Sequence, residues 1–583
     1  MPSSRTIPTT RPATVVTPAI RINGNEIART FLVDSITVSK EINRIPWAKI
    51  VLIDGESAGG SFQASDNELF IPGQEIEVMA GYENDVYTIF KGMIIAHSIK
   101  IRSGGGSVLV LECRDKTVKM TVGRKSKYFA EMKDNDILSA IAGTYAGLNP
   151  NIEATAVSHK KLIQYDCSDW DFIVARAEAN GKFCFADDGQ LTVKAPDISQ
   201  NAVLTLTYGA TILEMDAEID ARLQLGKVSS NSWSPSDQGI IEVEANNPQI
   251  ALNGNLSSND LAEVIGLDEF VLGHGGQVEE PELQAWADAL MLKRQLAKVR
   301  GRVKCRGIHT VKPGLTIELE GVGERFNGKA YVSGVQHFIS GGDWQLDIQF
   351  GCDPDWFTGK FNIEKKPASG LMAAVQGLHI AKVLQLAGDP DGEDRIKVHL
   401  PILGSDQEGL WARIASLDAG NNRGSFFRPE IDDEVIVGFI NDDPRDAIVL
   451  GMLNSSRKPA PLSGSDDNHE KGFVTRSGIK MIFNDDEKSF TLETPGGKKI
   501  LVDDSGGEIQ LQDENQNKIA MNSTGISIES IGKIELKAGQ GLVLGAANLE
   551  LKAQAGMTLE GGASTELKAG GVLIIQGSLV QIN

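Results

Sequence analysis

Cysteine is scarce in this chain, and the few cysteines are not spaced for a shared site. There are five, an odd number, and no Cys-x-x-Cys pair occurs (Cys113, Cys167, Cys184, Cys305 and Cys352). Neither a disulfide framework nor a zinc site is indicated, because both need regularly spaced cysteines. The pattern favours folding in a reducing compartment.

Long apolar runs and excess positive charge are also missing. No run of 18 apolar residues occurs, and residues 1–18, rich in Pro and Thr, lack the apolar core of a signal peptide. We therefore expect neither Sec-dependent export nor a membrane span. The formal net charge of -21 argues against a nucleic-acid groove, and it argues against an anionic membrane surface as the resting partner.

Proline is absent from Gly496 to Asn583, as an uninterrupted hydrogen-bonded ladder requires. Over nearly the same stretch, from Phe490 onward, a five-residue phrase recurs in which two apolar side chains flank one polar residue. The interval between phrases is nine or ten residues at first and later seven or eight. Alternation of this kind is the period of a β-strand, and the fixed recurrence indicates a stacked repeat.

A five-residue strand with one apolar face cannot bury that face alone. Three copies meeting about a threefold axis would close such ribbons into a prism, so we interpret residues 475–583 as a triple-stranded β-helix needle of a homotrimer. A one-chain solenoid is the alternative, but it normally needs a longer repeat. The expected trimer core consists of Ile526, Ile528, Ile534, Leu536, Leu542, Leu544, Leu549, Leu551, Met557 and Leu559.

The far end of the needle should be a docking face. Leu579, Val580, Ile582 and Asn583 form its last phrase, and three copies of these apolar side chains would otherwise face water. No histidine follows His469, so the needle cannot supply a histidine-ligated metal tip. We therefore expect another protein to cap this end.

The rest of the chain is predicted to be mainly β, in several domains. The expected order is a disordered arm at 1–19, a first β-barrel at 20–125, an α/β insert at 126–202, a second β-barrel at 203–359 with a helix at 281–299, a linker at 360–376, an OB-fold barrel at 377–453 and a connector at 454–474. Within the OB barrel, Trp411 is expected in the core rather than as a ligand platform.

Three motifs could carry chemistry, and each has a plainer interpretation. Gly55–Gly59 fits a nucleophile elbow, but no helix pattern follows it. Gly323–Lys329 has phosphate-loop spacing, but Ala330 replaces the magnesium-binding hydroxyl. Asp389–Asp394 is acidic enough for calcium but lacks the closing Glu of an EF-hand. We expect a non-enzyme without catalytic, cofactor-binding or metal-binding residues.

An ordered set of motifs in residues 377–453 resembles the OB domain of VgrG-type spike proteins. The matching positions are Asp389-Pro390, Gly392, Arg395-Ile396-Lys397-Val398, Pro401, Trp411-Ala412-Arg413, Gly420, Gly424, Pro429, Asp433-Glu434-Val435, Phe439, Asp443-Pro444 and Val449-Leu450-Gly451. Upstream, Tyr165 to Gly181 and Pro313 to His337 are similar to the hub region of that family.

This resemblance implies a homotrimeric puncturing spike of a contractile injection machine. Its two barrels would form a hub that meets inner tube and baseplate proteins, and its needle would carry a PAAR-type tip protein, with effector cargo as a further possibility. The target membrane would be touched only transiently. Assembly is expected in the bacterial cytoplasm, in a particle that is released or cell-anchored and reaches a target cell or the extracellular space.

Two alternatives stay open at this point. A type VI secretion spike would share all of these features with an extracellular phage-tail-like particle, which we favour because the chain carries no visible lysozyme or effector extension. A β-helical polysaccharide-active enzyme or adhesin would be of another class. Such enzymes cluster carboxylates on one face, whereas the polar positions of the needle mix Glu, Lys, Ser, Gln and Asn.

Overall fold

The computed structural model describes residues 15–56, 58–83, 85–103, 106–248, 250–404 and 408–582. It divides into two compact units. The first unit runs to Gly377 and includes Phe439–Asp446, and the second contains Leu378–Gly438 and the chain from Ala447 onward. Most of the predicted N-terminal arm lies outside the described residues.

The first unit is mostly β-structure with five helices among the described residues. Its strands are β1 Val16–Ile22, β2 Asn25–Glu26, β3 Leu32–Glu41, β4 Trp47–Ile53, β5 Glu75–Tyr82, β6 Asp85–Arg102, β7 Gly106–Arg114, β8 Lys125–Lys133, β9 Asn149–Ile152, β10 Ser158–Cys167, β11 Phe183–Asp187, β12 Gln190–Lys194, β13 Thr205–Thr207, β14 Glu214–Ile219, β15 Val228–Ser234, β16 Gly239–Glu244, β17 Phe270–His274, β18 Val299–Arg306, β19 Thr316–Glu320, β20 Gly328–Ser340 and β21 Asp343–Phe350. Its helices are α1 Asp134–Ala142, α2 Asp169–Ala179, α3 Ser258–Ile265, α4 Glu280–Leu296 and α5 Phe357–Lys360.

One continuous sheet spans the two regions in which the sequence predicts separate barrels. Its strand order is β14-β18-β21-β20-β3-β4-β7-β6-β5-β1-β2, with β19 and β13 branching from β20. Two separate apolar cores lie against it, one around Ile50 and Leu111 and the other around Ile317 and Ile348. The sheet is continuous because β20 is 13 residues long and pairs with β21 and also with β3.

Order begins earlier than the predicted arm boundary at residue 19. Strand β1 pairs along its whole length with β5, and Val16, Ile20 and Ile22 are buried. Pro18 is tolerated there because the two-residue β2 pairs only with Arg21 and Ile22, which leaves the other side of β1 free at Pro18. Alternating burial therefore outweighs the Pro-rich composition.

The α/β insert contains the helix that its capping pattern predicts. The Ser168 hydroxyl accepts the backbone N–H of Asp171 at 3.1 Å at the start of α2. The chain leaves the helix through Gly181, whose φ of +64° suits glycine. Ile173 and Val174 are buried on the predicted stripe, so local signals defined this element well.

A three-stranded sheet of order β16-β15-β17 covers α4. The predicted helix at 281–299 ends instead at Leu296, because Val299 begins β18 and pairs with Ile219. Helix α3 was not predicted, although Ser257 and Asp260 form a capping box at its start.

The second unit begins with a small barrel. Its strands are β22 His379–Gln385, β23 Ile396–His399, β24 Leu410–Ile414, β25 Ala419–Gly420, β26 Arg423–Gly424, β27 Glu434–Phe439 and β28 Ala447–Met452, and the barrel closes in the order β22-β23-β24-β28-β27. The core prediction for Trp411 is wrong. Ala412 fills the core and Trp411 points outward, half-buried, because neighbouring residues of a strand face opposite sides.

The same unit continues as an antiparallel meander of five-residue strands. They are β29 Glu470–Val474, β30 Lys480–Asn484, β31 Ser489–Glu493, β32 Lys499–Asp503, β33 Glu508–Gln512, β34 Lys518–Asn522 and β35 Gly525–Glu529, each paired with its neighbours in chain order. We call these seven strands the ladder. The ladder begins before residue 475, because Glu470 to Val474 pair fully with β30.

No helix in the described part of the chain is long and apolar enough to cross a membrane.

Candidate functional site: the apolar face of the ladder

Strand register places the apolar pairs of the ladder in two columns. The second and fourth residues of each strand face one side, and the hairpins are in register, so that Ile500 lies opposite Leu511 and Val502 opposite Ile509. The two columns contain Met481, Phe483, Phe490, Leu492, Ile500, Val502, Ile509, Leu511, Ile519, Met521, Ile526 and Ile528. We call this set the apolar face.

Most of the apolar face is open to solvent in the single chain. From Ile500 to Ile528 its members are 38% to 71% exposed, with Ile526 the most exposed. Strands in a sheet lie about 4.8 Å apart, so the columns form one continuous strip rather than scattered side chains. A strip of this kind marks an interaction surface, because water-exposed apolar area of this extent is unfavourable.

The opposite face of the ladder is polar along its outer columns. Lys480, Glu493 and Lys499 follow one another across adjacent strands, so charges of opposite sign are neighbours. Lys518 Nζ lies 3.1 Å from a carboxylate oxygen of Glu508. These outer columns suit contact with water, whereas the central column of the same face contains Ile482, Leu501 and buried Ala520.

The remaining predicted core residues lie beyond the ladder. Ile526 and Ile528 belong to β35, whereas Ile534, Leu536, Leu542, Leu544, Leu549, Leu551, Met557 and Leu559 lie in residues 530–582, where the structure assigns no strand and each of these eight side chains is exposed. The change comes one phrase after the repeat interval first shortens to seven residues, between Ile519 and Ile526. These residues keep the alternating pattern but have no strand partner among the described residues. Their backbone N–H and C=O groups therefore lack the hydrogen-bond partners that a sheet would supply.

The predicted docking residues are also open to solvent. Leu579 and Val580 are exposed, and Ile582 is 87% exposed. Asn583 lies outside the described residues.

Two contacts join the start of the ladder to the barrel. The ring of Phe473 stacks on that of Phe427, with centroids 5.1 Å apart and planes 9° apart. Arg476 Nη1 lies 2.8 Å from Glu430 Oε2. Sequence reasoning missed both, because the two partners of each contact are separated by more than 40 residues and carry no shared motif.

The three chemical motifs adopt the plainer structures. Ser57 of the elbow-like motif lies outside the described residues, and the backbone on either side closes at a bridge between Glu56 and Ser61. Lys329, at the end of the phosphate-loop motif, lies in β20 and donates to the Gln200 carbonyl at 2.9 Å. No helix N-terminus is present there to hold a phosphate.

In the acidic loop Asp389–Asp394, the carboxylate of Asp389 is hydrogen-bonded by groups of the loop itself and by Arg395. Asp389 accepts the backbone N–H of Glu393 at 2.8 Å and the Nε–H of Arg395 at 3.0 Å. The Arg395 guanidinium holds the pKa of Asp389 well below its usual range. In the described part of the chain, no group of three or more His, Cys, Asp or Glu side chains could hold a metal ion.

A buried charge network in the first unit also escaped prediction. The Arg176 guanidinium donates to both Asp134 oxygens, at 2.7 and 2.9 Å, and to Glu282 at 3.0 Å. His159 Nε2 lies 2.9 Å from Asp134 as well. Burial alone would raise the pKa of Asp134, but Arg176 and His159 bring it below the ordinary value. The network ties α1, α2, β10 and α4 together.

Family comparisons match each part of this architecture. Residues 379–453 match the type VI secretion system/phage-baseplate injector OB domain, and residues 489–583 match the phage baseplate V C-terminal trimerisation domain. An OB barrel followed by a trimerisation ladder defines a spike protein of the VgrG type. Residues 12–341, more than half of the chain, match the Alg8 N-terminal domain, and the chain belongs to that family.

Curated relatives agree over shorter stretches. The chain is 26% identical to the type VI secretion system spike protein VgrG1b of Pseudomonas aeruginosa over 287 residues, which cover 46% of this chain and 37% of that protein. It is 31% identical to the type VI secretion system spike protein VgrG3 of Vibrio cholerae over 135 residues, 22% of this chain and 13% of that protein. The chain thus spans well under half of either relative.

Solved structures of tail proteins are also similar, at low identity. The 43 kDa tail protein of prophage MuSo2 from Shewanella oneidensis is 11% identical, with a TM-score of 0.44 over 58% of this chain and 98% of that chain. The E. coli c3393 protein, a component of the type VI secretion system, is 12% identical, with a TM-score of 0.37 over 74% of this chain and 99% of that chain.

Proposed function

We propose that this protein is the central spike of a contractile injection machine. It would link the tail tube and baseplate to a tip protein and pierce the target envelope. The observation that carries the proposal is the apolar face of the ladder, which stays largely exposed in the described single chain and overlaps the trimerisation domain matched by residues 489–583.

Three copies of the chain would bury the apolar face of each copy against the other two. Apolar strips from three chains meet along a threefold axis, while the polar sides face water. Residues 530–582, which have no strand partners in their own described chain, then obtain backbone partners from the other copies. The exposed side chains from Ile534 to Leu559 fill the same axis, as the sequence predicts.

The exposed apolar phrase from Leu579 to Ile582 supports a docking face at the far end of the needle. The partner we propose is a PAAR-type tip protein, one per trimer, because a threefold end offers a single site. The first unit is proposed to contact inner tube and baseplate proteins. Effector cargo would travel with the tip.

The proposal makes the protein a structural component rather than an enzyme. The function would depend on stiffness and shape rather than on a reactive site. Among the described residues, the phosphate-loop motif ends in strand β20 and the acidic motif forms a loop. Assembly is proposed in the bacterial cytoplasm, and the target membrane is met only during injection. We retain an extracellular phage-tail-like particle as the proposed system, while the curated relatives named above belong to type VI secretion; the tail genes that flank this one distinguish the two.

The mass of the full-length chain in solution tests the proposal directly. Light scattering coupled to gel filtration should give three times the 62.7 kDa of one chain. A stable monomer that degrades a polysaccharide would instead support the β-helical enzyme. In particles, loss of this gene should leave no assembled baseplate with a tip.

A further inference from the structure

Charge is distributed unevenly over the first unit. Between residues 228 and 282 there are ten Asp and Glu and no Lys or Arg. Strands β8 and β10 show the opposite bias, with five Lys against Glu131 and Asp166. In a chain with a net charge of -21, a basic two-stranded sheet beside an acidic lobe, residues 228–282, is a specific feature rather than a consequence of composition.

The basic two-stranded sheet of β8 and β10 has an exposed outer face with aromatic side chains. Tyr128 and Ile163 lie opposite each other in the register, and both are exposed, as is Tyr165. Lys161 Nζ lies 5.1 Å from the centre of the Tyr128 ring, and Lys365 Nζ lies 5.7 Å from that of Tyr165. We call Tyr128, Lys161, Ile163, Tyr165 and Lys365 the basic face.

The acidic lobe has an exposed face of matching character. Helix α4 packs on one side of the sheet β16-β15-β17, where Ser230 Oγ donates to the Leu283 carbonyl at 2.7 Å. On the other side Trp233 and Ile240 lie opposite each other and are exposed. We call Trp233, Ile240, Glu242 and Val271 the acidic face; the neighbouring Glu244 is left out because Lys227 Nζ lies 3.6 Å from its carboxylate.

We infer that the basic face of one copy docks on the acidic face of the next copy around the threefold axis. Each face combines exposed apolar side chains with charge of one sign, and the two signs are opposite, so the surfaces are complementary. Two different surfaces on one chain make a heterologous contact, which closes into a ring when three copies share an axis. The inference rests on the proposed trimer and adds the surfaces that join its first units.

An ion pair within the chain shows the same attraction on a small scale. Lys160 of β10 lies 3.0 Å from Glu279, at the end of the acidic stretch. Lys161, the next residue, has no ion-pair partner among the described residues and is available to a neighbouring copy.

Thiol crosslinking of the full-length chain tests the contact. All five native cysteines are buried, so introduced thiols are the reactive ones. A chain carrying both Tyr128→Cys and Ile240→Cys should form covalent dimers and trimers with a short bismaleimide. Either substitution alone should give monomers on a denaturing gel, because like faces do not meet. Ile163→Cys replaces Tyr128→Cys if that variant does not fold.

Charge reversal gives a second, independent readout. Adding Lys161→Glu and Lys365→Glu to the double-cysteine chain should lower the yield of crosslinked oligomers at least fivefold, and further adding Glu242→Lys should restore part of it. Lys100→Glu is the matched control, because Lys100 is an exposed residue of β6 outside both faces. It should leave the yield unchanged.

The outcomes separate the two proposals. If light scattering shows a trimer but the double-cysteine chain stays monomeric on the gel, or if single-cysteine chains crosslink equally well, the docking of these two faces is wrong while the spike stands. If the uncrosslinked protein is a monomer in solution, the proposed trimer itself fails.

Discussion

Replacing Ile528 by Asp tests whether the apolar face lies on the trimer axis. Ile528 is 55% exposed in the single chain, so about half of its apolar surface remains to be buried by partners. Full burial of an Ile side chain stabilises by about 1.5–3 kcal/mol, so three copies should lose roughly 2–5 kcal/mol from apolar contact alone. Each carboxylate forced into the axis adds a desolvation cost of several kcal/mol, unless it stays protonated.

The pH dependence of this variant is the discriminating measurement. Burial raises the pKa of a carboxyl group above its unfolded value of about 3.9, so the assembled state binds more protons than the unfolded chain between the two pKa values. Trimer stability should therefore be higher near pH 4 and fall as the pH rises. Thermal unfolding and light scattering at about pH 4.5 and 8 measure both quantities.

Ser527→Asp is the matched control for this experiment. Ser527 is the neighbouring residue, lies on the opposite side of β35 and faces Ala520 in the register. It should remain trimeric, without the loss at higher pH. Equal behaviour of the two variants, or an unchanged trimer for Ile528→Asp at pH 8, would refute the assignment of the apolar face to the axis.

Three further predictions concern other parts of the chain. Trp411→Ala should cost less than the roughly 3–5 kcal/mol of a core Trp, because Trp411 lies outside the barrel; denaturant unfolding checks this, and a core-sized loss would contradict the structure. Asp134→Asn should destabilise the first unit by about 3–5 kcal/mol, since it leaves buried Arg176 without its main partner. The lowered pKa of Asp134 also predicts that wild-type stability, present above pH 4, falls as the pH drops below about 4, and the Asn variant should show a smaller acid effect in calorimetry. Deleting residues 572–583 should leave the trimer intact and abolish capping; particles that keep the tip protein at full occupancy would exclude the docking face.

Local sequence signals were enough to predict the helices and strands that have a capping motif or an alternating pattern of their own. The cap at Ser168 and Gly181 defines α2, and the two-residue alternation defines the ladder strands. Trp411 was misplaced although a signal was present. Alternate residues of a strand face the same side, so Trp411 faces the same side as exposed Arg413. Leu410 and Ile414 face the same side as buried Ala412.

Long-range pairing had no comparable signal. The contact of β20 with β3 joins residues about 300 positions apart, and it merges two expected barrels into one sheet. The network of Asp134, His159, Arg176 and Glu282 likewise combines residues from four elements. Pairing at such separations depends on which strands are adjacent in space, and alternation within one strand does not encode this.

The apolar face combines a local sequence pattern with contacts that the pattern does not specify. Its period is local, and the sequence predicted it. The partners that would cover it are, in the proposed trimer, other copies of the chain. From Glu470 to Glu529 each strand pairs with its neighbours in the same chain. Beyond Glu529 the same alternation continues with no strand among the described residues, and in the proposed trimer its hydrogen bonds would come from neighbouring copies. The ladder would then form first in each copy and set the register in which three copies pair. Ile528, in the last strand of the ladder, would be the position where folding of one chain passes into assembly of three.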